Sequence, residues 1–413
     1  MKKQTTLIKI TCLILAFNTS SLNAQNTWVQ KSSSPTSSVL RTGAFSFTIG
    51  TKGYIGGGMD ATATVLKTFW EYDPATDVWT QQANIPDIGS QYGRTGAIGF
   101  GIGNLGYFGT GNTSGSANGT SNFYEYNPIT NVWTAKASFA GGTRVSAVGF
   151  SIGNKGYIGT GTTNFSTLYN DFWEYNPSTD TWTQKANFGG VARDYAVGFS
   201  ISNKGYIGTG NTGTGAVNDF WEYNQTTDAW VQKANFGGGQ RWTATAFSIG
   251  NYGYIGTGQN ASNTNQNDFW EYDPNIDSWS QKANFSGNIR NSAYGFSVGS
   301  KGYIGGGINS PSFQSDFWEY TPSSISTGIE NNNDHFLNLI NVYPNPNNGN
   351  FNIKAVNECS VKITNELGQL IREIQLNAAN NFTATLDGLQ NGIYAIVSSN
   401  NKQSSSQKIV ISK

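Results

Sequence analysis

The chain has 413 residues, with 25 basic and 25 acidic side chains, one histidine and two cysteines. A single histidine, His335, excludes Ser-His-Asp and Cys-His catalytic sets and leaves no His/Cys cluster for zinc. Charged residues make up only 12% of the chain, against roughly 25% in ordinary soluble domains, and no basic face points to nucleic acid.

Residues 1–24 read as a secretory signal. Lys2, Lys3 and Lys9 supply the positive start, LIKITCLILAF the apolar run, and Ala24 the small residue before a cut at Gln25. The apolar run is too short for a permanent transmembrane segment. Residues 1–24 hold three lysines and no acid, so the rest of the chain carries three more acids than bases. Cys12 leaves with that segment. Cys359 then has no partner for an intrachain disulfide, and burial must supply the stability of an exported protein.

From residue 25 to 322 a unit recurs about every fifty residues. Arg41, Arg94, Arg144, Arg193, Arg241 and Arg290 open six copies, and Trp79, Trp133, Trp182, Trp230 and Trp279 lie near the ends of five. Each copy holds four short strand candidates, in the fourth AVGFSI, GYIGTG, DFWEY and AWVQKA. Links such as GNK at 153–155, whose Asn and Gly supply positive φ, and NPSTD at 176–180 are tight turns. No stretch keeps a helical period. Four strands per unit at this spacing predict a β-propeller with one unit per blade. The sixth copy stops after FWEY (317–320), and the missing strand is TWVQK at 27–31, with Trp28 placed 51 residues before Trp79. The N-terminal strand is therefore expected to complete the last of six blades and remove the open sheet edge. The tryptophans are expected to wedge neighbouring blades together.

The opening arginine, the glycines closing the second strand, the tyrosine of the third and the tryptophan of the fourth make this repeat resemble the kelch repeat, whose family fold is a propeller. Most copies depart from it with GTG in place of a glycine pair, Tyr124 replaces a third-strand Trp, and Gln225 replaces a turn proline. The resemblance extends to galactose oxidase, but the two copper-ligating histidines and the Cys–Tyr crosslink of that enzyme are missing, so its activity is not carried over and no cofactor is expected. Six-bladed sialic-acid mutarotases of the kelch family match at the level of the repeat alone.

Residues 323–337 form a Ser- and Asn-rich linker. Residues 338–413 lose tryptophan and read as a small Ig-like β-sandwich. Tyr343-Pro344-Asn345-Pro346, Gly349, Phe351, Asn365 to Gln369, Leu389, Gly392-Ile393-Tyr394 and the terminal KIVISK resemble the type A C-terminal sorting domain of the type IX secretion system. This resemblance implies Sec and type IX machinery as partners, and a secreted or cell-surface protein.

Antiparallel strand order puts the start of strand one, the two–three loop and the four–one loop at one face. Copies diverge there, in loops such as MDATATVLKT (59–68) and QNASNTNQND (259–268), and in the residue after each arginine: Thr42, Thr95, Val145, Asp194, Trp242 and Asn291. A constant frame with variable loops on one face is how repeat scaffolds present a binding surface, here for a glycan or protein. The candidate ligand-binding residues are Arg41, Arg94, Arg144, Arg193, Arg241, Arg290 and Trp242. Asp171, Asp219, Asp268 and Asp316 can neutralise four of the arginines, whereas Thr68 and Asn122 stand at that position in the first two copies. An anionic ligand is therefore expected beside blades 1 and 2. A catalytic blade would break the pattern with a lone acid at the pore mouth; none is expected, nor a metal site, because the Asn-rich loop 258–268 has too few acids for calcium.

Overall fold

The computed structural model describes residues 26–32, 40–86, 93–113, 118–322, 340–343, 350–355, 358–365, 369–399 and 404–411. The signal segment, the Ala24/Gln25 cleavage position and the linker with His335 lie outside the described residues. The chain divides into two compact units, residues 1–323 and 324–413.

In the first unit six four-stranded antiparallel sheets follow one another as blades. Blade 4 is typical: Val197–Ile201, Lys204–Gly208, Phe220–Asn224 and Ala229–Lys233, paired in sequence order. Blade 6 is built from Tyr294–Val298, Lys301–Gly305 and Phe317–Thr321, and the N-terminal strand Thr27–Lys31 adds its outer edge in the register Trp28↔Tyr320. The expected closure is the observed one. It differs from expectation in one local detail. Gly50, Gly103, Gly153, Gly250 and Gly299 carry the left-handed φ of the turn between strands one and two, and Ser202 does so in blade 4; the neighbouring asparagines do not.

The core of this unit consists of six clusters, each shared by two adjacent blades. The Phe that opens the third strand meets edge-on the fourth-strand Trp of the following blade. The pairs are Phe69–Trp133, Phe123–Trp182, Phe172–Trp230, Phe220–Trp279, Phe269–Trp28 and Phe317–Trp79, with centroids 4.9–5.0 Å apart and planes at 63–73°. Each indole N–H then donates to a main-chain carbonyl of the preceding blade, as Trp182 does to Ala137 at 2.9 Å and Trp28 to Ala283 at 3.1 Å. The same residue also donates its N–H to the turn side chain of the next blade, as Ala137 does to Asp180 at 2.9 Å; Ser32 takes the alanine's place before Asp77, and Asn131 replaces the acid opposite Ala83. Asp180 also accepts from Tyr175 at 2.7 Å, and it takes the left-handed φ of 53° that a short polar side chain tolerates. Nearer the axis a first-strand Phe lies flat against a glycine of the next blade. A Cβ on Gly205 would come within 2.5 Å of the Phe150 ring, which is why the KGY motif keeps its glycine.

The second unit packs two antiparallel sheets face to face. One holds Ile340–Tyr343, Phe351–Ala355 and Thr383–Leu386; the other runs Leu370–Leu376, Cys359–Asn365, Gly392–Ser399, Ser404–Ile411. Ile353, Val361, Ile363, Leu376, Ile396 and Ile409 are wholly buried between them. Among the described residues no helix is long and apolar enough to cross a membrane.

Deleting residues 25–31 removes both the sixth-blade edge and the Trp28 wedge. The expected result is an oligomerising or unfolded propeller, read by size exclusion and thermal melting. A monomer with an unchanged melting temperature would contradict the closure.

Candidate functional site

Each arginine is followed by one variable residue and then by a residue with left-handed φ: Gly43, Gly96, Ser146, Tyr195, Thr243 and Ser292, at 50–65°. The N–H of each of these donates to the carbonyl of its counterpart in the preceding blade, and Gly43 closes the circle onto Ser292; the six bonds measure 2.8–3.2 Å. This hydrogen-bonded ring forms the neck of the central channel. A cavity of 130 Å³ at the neck is lined by these six residues and by the alanines that follow them. A larger cavity of 350 Å³, lined by the first strands, continues below through shared residues such as Ala97 and Ala147. Neither is lined by a charged side chain among the described residues.

The six arginines stand just outside this ring and are 0–1% exposed. Arg144, Arg193 and Arg241 form bidentate pairs with Asp171, Asp219 and Asp268 at 2.6–2.9 Å, and Arg290 pairs with Asp316 at 2.7 Å. The third-strand indoles of Trp173, Trp221, Trp270 and Trp318 donate to the same four acids at 2.7–2.8 Å. Phe139, Phe188, Phe236 and Phe285 lie beside the four guanidiniums at 4.7–5.4 Å. Burial alone would raise the carboxyls of Asp219 and Asp316; their arginine and tryptophan donors outweigh it and hold both below the usual range.

Blades 1 and 2 differ, as their sequences anticipate. Arg41 donates to the carbonyl and hydroxyl of Thr68 at 3.3 and 2.9 Å and to Gly57 at 2.9 Å, and burial lowers its pKa to about 10. Arg94 donates to the carbonyl of Gly93 at 3.2 Å. All six guanidiniums thus lie beneath the surface of the mouth, where Arg41, Arg144, Arg193, Arg241 and Arg290 tie the start of strand one to the ends of strands two and three.

The expectation that no lone acid stands at the mouth is corrected by Asp194. It occupies the position held elsewhere by Thr42, Thr95, Val145, Trp242 and Asn291. Its residue is 5% exposed, and its Oδ1 has no hydrogen-bond partner among the described residues. Burial raises the carboxyl to about 6. Next to it Tyr195 is the one large side chain in the neck ring, and it lines the neck cavity. Trp242, from the following blade, meets Tyr195 edge-on at 5.6 Å and 79°. Further round, Asn291 donates its amide to Asn265 at 2.9 Å, and Asn265 donates to Asn309 at 3.0 Å. An acid, an aromatic pair and a chain of amides therefore occupy one arc, over blades 4 to 6. Sequence reading singled out Trp242 but missed Tyr195 and the isolation of Asp194. Comparing the second residue after each arginine would have exposed Tyr195 among glycine, serine and threonine. The loop 258–268 is closed by its own amide, since Asn260 Oδ1 accepts from the N–H of Ser262 and Thr264 at 3.0 Å.

Asp219→Ala leaves the Arg193 guanidinium buried without its counter-charge. It is expected to cost about 3–5 kcal/mol in the propeller transition, whereas Thr68→Ala, which removes one neutral acceptor, costs about 1 kcal/mol. Equal melting temperatures for the two variants would contradict the clamp. Asp194 behaves in the opposite sense. Its native pKa of about 6 lies above its unfolded value, so the native state loses stability as pH rises from about 4 through 6. Asp194→Asn should melt a few degrees higher than the parent at pH 8, with the gain vanishing near pH 4; a pH-independent difference would contradict the buried, unpartnered carboxyl.

Comparisons with known proteins agree with this architecture. Residues 40–86 match the Kelch motif and residues 341–412 match the secretion system C-terminal sorting domain. The solved structure of YjhT is similar over 70% of this chain and 96% of that one, with a TM-score of 0.59 and 16% identity, which speaks for the fold alone. No curated protein matches the chain. Six arginine-opened blades closed by the N-terminal strand make the first unit a β-propeller whose residues 40–86 match the Kelch motif, and the sorting-domain match of the tail marks the chain for export by the type IX secretion system to the cell surface or the medium.

Proposed function

We propose that the propeller is a non-enzymatic binding module that takes a glycan or a protein at its loop-rich face. The proposed exported unit is residues 25–322, joined through the linker 323–337 to the sorting domain 338–413. The observation that carries this reading is the contrast between frame and mouth. Interblade wedges and arginine clamps recur from blade to blade, while Asp194, Tyr195 and Trp242 break the pattern together at one end of the channel. An unpartnered buried acid costs stability, and such groups gather at functional sites.

Asp194 also favours a second reading, a carbohydrate-active enzyme. A carboxyl titrating near 6 suits proton transfer, and it would act without histidine. The two readings separate on a glycan array probed with the full chain, followed by incubation of each bound glycan and NMR of its anomeric protons. Binding without change in rate of anomeric exchange or chain length is the expected outcome. Turnover lost in Asp194→Asn would replace the binding reading with the enzymatic one. The anionic arm of the array tests docking beside Arg41 and Arg94.

A further inference from the structure

We propose that the arc of the mouth over blades 4 to 6 is a subsite for a neutral pyranose ring of a glycan. This rests on the binding-module reading and names its ligand class. Three features of the arc choose the chemistry.

The first is that no available cation stands there among the described residues. Arg193 and Arg241, the guanidiniums nearest in sequence, are each 1% exposed and held bidentately by Asp219 and Asp268. Arg193 also donates to the carbonyls of Val191 and Thr209, and Arg241 to those of Thr257 and Gly238. A carboxylate or sulfate on a ligand would meet Asp194 here without a counter-charge, so the arc disfavours anions.

The second is the aromatic pair. Trp242 and Tyr195 are both half-buried, so each keeps some accessible surface at the mouth. Tyr195 holds a left-handed φ of 50°, a conformation that costs energy for a bulky residue and that Gly43 and Gly96 fill without strain at the same position. A ring kept there against that cost, lining the neck cavity and meeting Trp242 edge-on, offers an apolar wall to the C–H face of a sugar.

The third is the inventory of polar groups around that wall. Asp194 holds a buried oxygen with no hydrogen-bond partner among the described residues, an acceptor that a donating sugar hydroxyl fills by displacing the packing over it. Beyond Trp242, the half-buried amides of Asn265, Asn291 and Asn309 form a connected chain that offers donors and acceptors without charge. A polyol presents hydroxyls of both kinds, and this set matches it. An ammonium ion would use the acid and the aromatic rings but leave the amide chain unaddressed.

The full chain and four variants are titrated by calorimetry against neutral gluco-, manno-, galacto- and xylo-oligosaccharides. Polygalacturonate and sialyllactose form an anionic arm and tetramethylammonium a cationic one. Binding of at least one neutral series is expected. Trp242→Ala and Asp194→Asn should each weaken it by roughly tenfold or more. Tyr195→Gly should weaken it too, and it folds readily because glycine suits the backbone there. Thr95→Val, on the opposite arc, should leave it unchanged. Thermal melts accompany each variant, and Asp194→Asn is informative because it loses affinity while gaining stability at pH 8. Neutral binding that survives Trp242→Ala or Asp194→Asn, or that falls with Thr95→Val alone, overturns the placement. Binding confined to the anionic or cationic arm overturns the ligand class while leaving the binding-module reading intact. Silence on every arm overturns the subsite. Neutral binding with turnover keeps the subsite and removes the non-enzymatic reading.

Discussion

The propeller depends on one contact made six times: a fourth-strand tryptophan packed edge-to-face with the phenylalanine that opens the third strand of the blade before it. A four-stranded blade has two apolar faces and cannot bury them alone. The tryptophan–phenylalanine pair buries both at once and orients them, because edge-to-face packing favours a definite angle over a sliding stack. The indole N–H and the turn acid then fix the height of one blade against the next, through a carbonyl and an N–H of a single residue such as Ala137. A ring built this way tolerates no missing member. Closure through Thr27–Lys31 is therefore as structural as any internal blade contact, although those residues are nearly three hundred positions from their partners.

Inside this frame the arginines solve a different problem. The chain must turn sharply from the outer strand of one blade to the inner strand of the next, where carbonyls converge at the end of strand two. A guanidinium placed there satisfies several of them and needs a counter-charge only because it is buried. Asp171, Asp219, Asp268 and Asp316 provide it, and the third-strand indoles complete each carboxylate. Thr68 replaces the acid in blade 1, and there burial lowers the pKa of Arg41. The charge that marks the repeat so plainly is thus an internal clamp, and the chemistry facing a ligand falls to the residues just after it. The neck ring makes this possible. Its six main-chain hydrogen bonds hold the channel mouth irrespective of side chain, so Gly43, Ser146 and Tyr195 can share one backbone position.

Much of this was legible in the sequence. Repeat spacing set the number of blades, the unpaired Trp28 announced the closing strand, and the change of composition after residue 322 announced a second unit whose motif residues resembled a sorting domain. These features are local or periodic, and each repeat confirms the others. The acids before the third strand also identified their arginines, because the same pair recurs in four copies. What only the tertiary structure decided was depth and neighbourhood. The arginines could be exposed ligands or buried clamps with the same letters, and burial depends on how the next blade covers them. Tyr195 and Trp242 are 47 positions apart, and only the rotation from one blade to the next brings their rings to 5.6 Å. Asp194 looks like one variable loop residue among six until packing removes its Oδ1 from water and gives it no partner among the described residues. A repeat records what its copies share, whereas a site at the mouth is made by what one copy places against its neighbour.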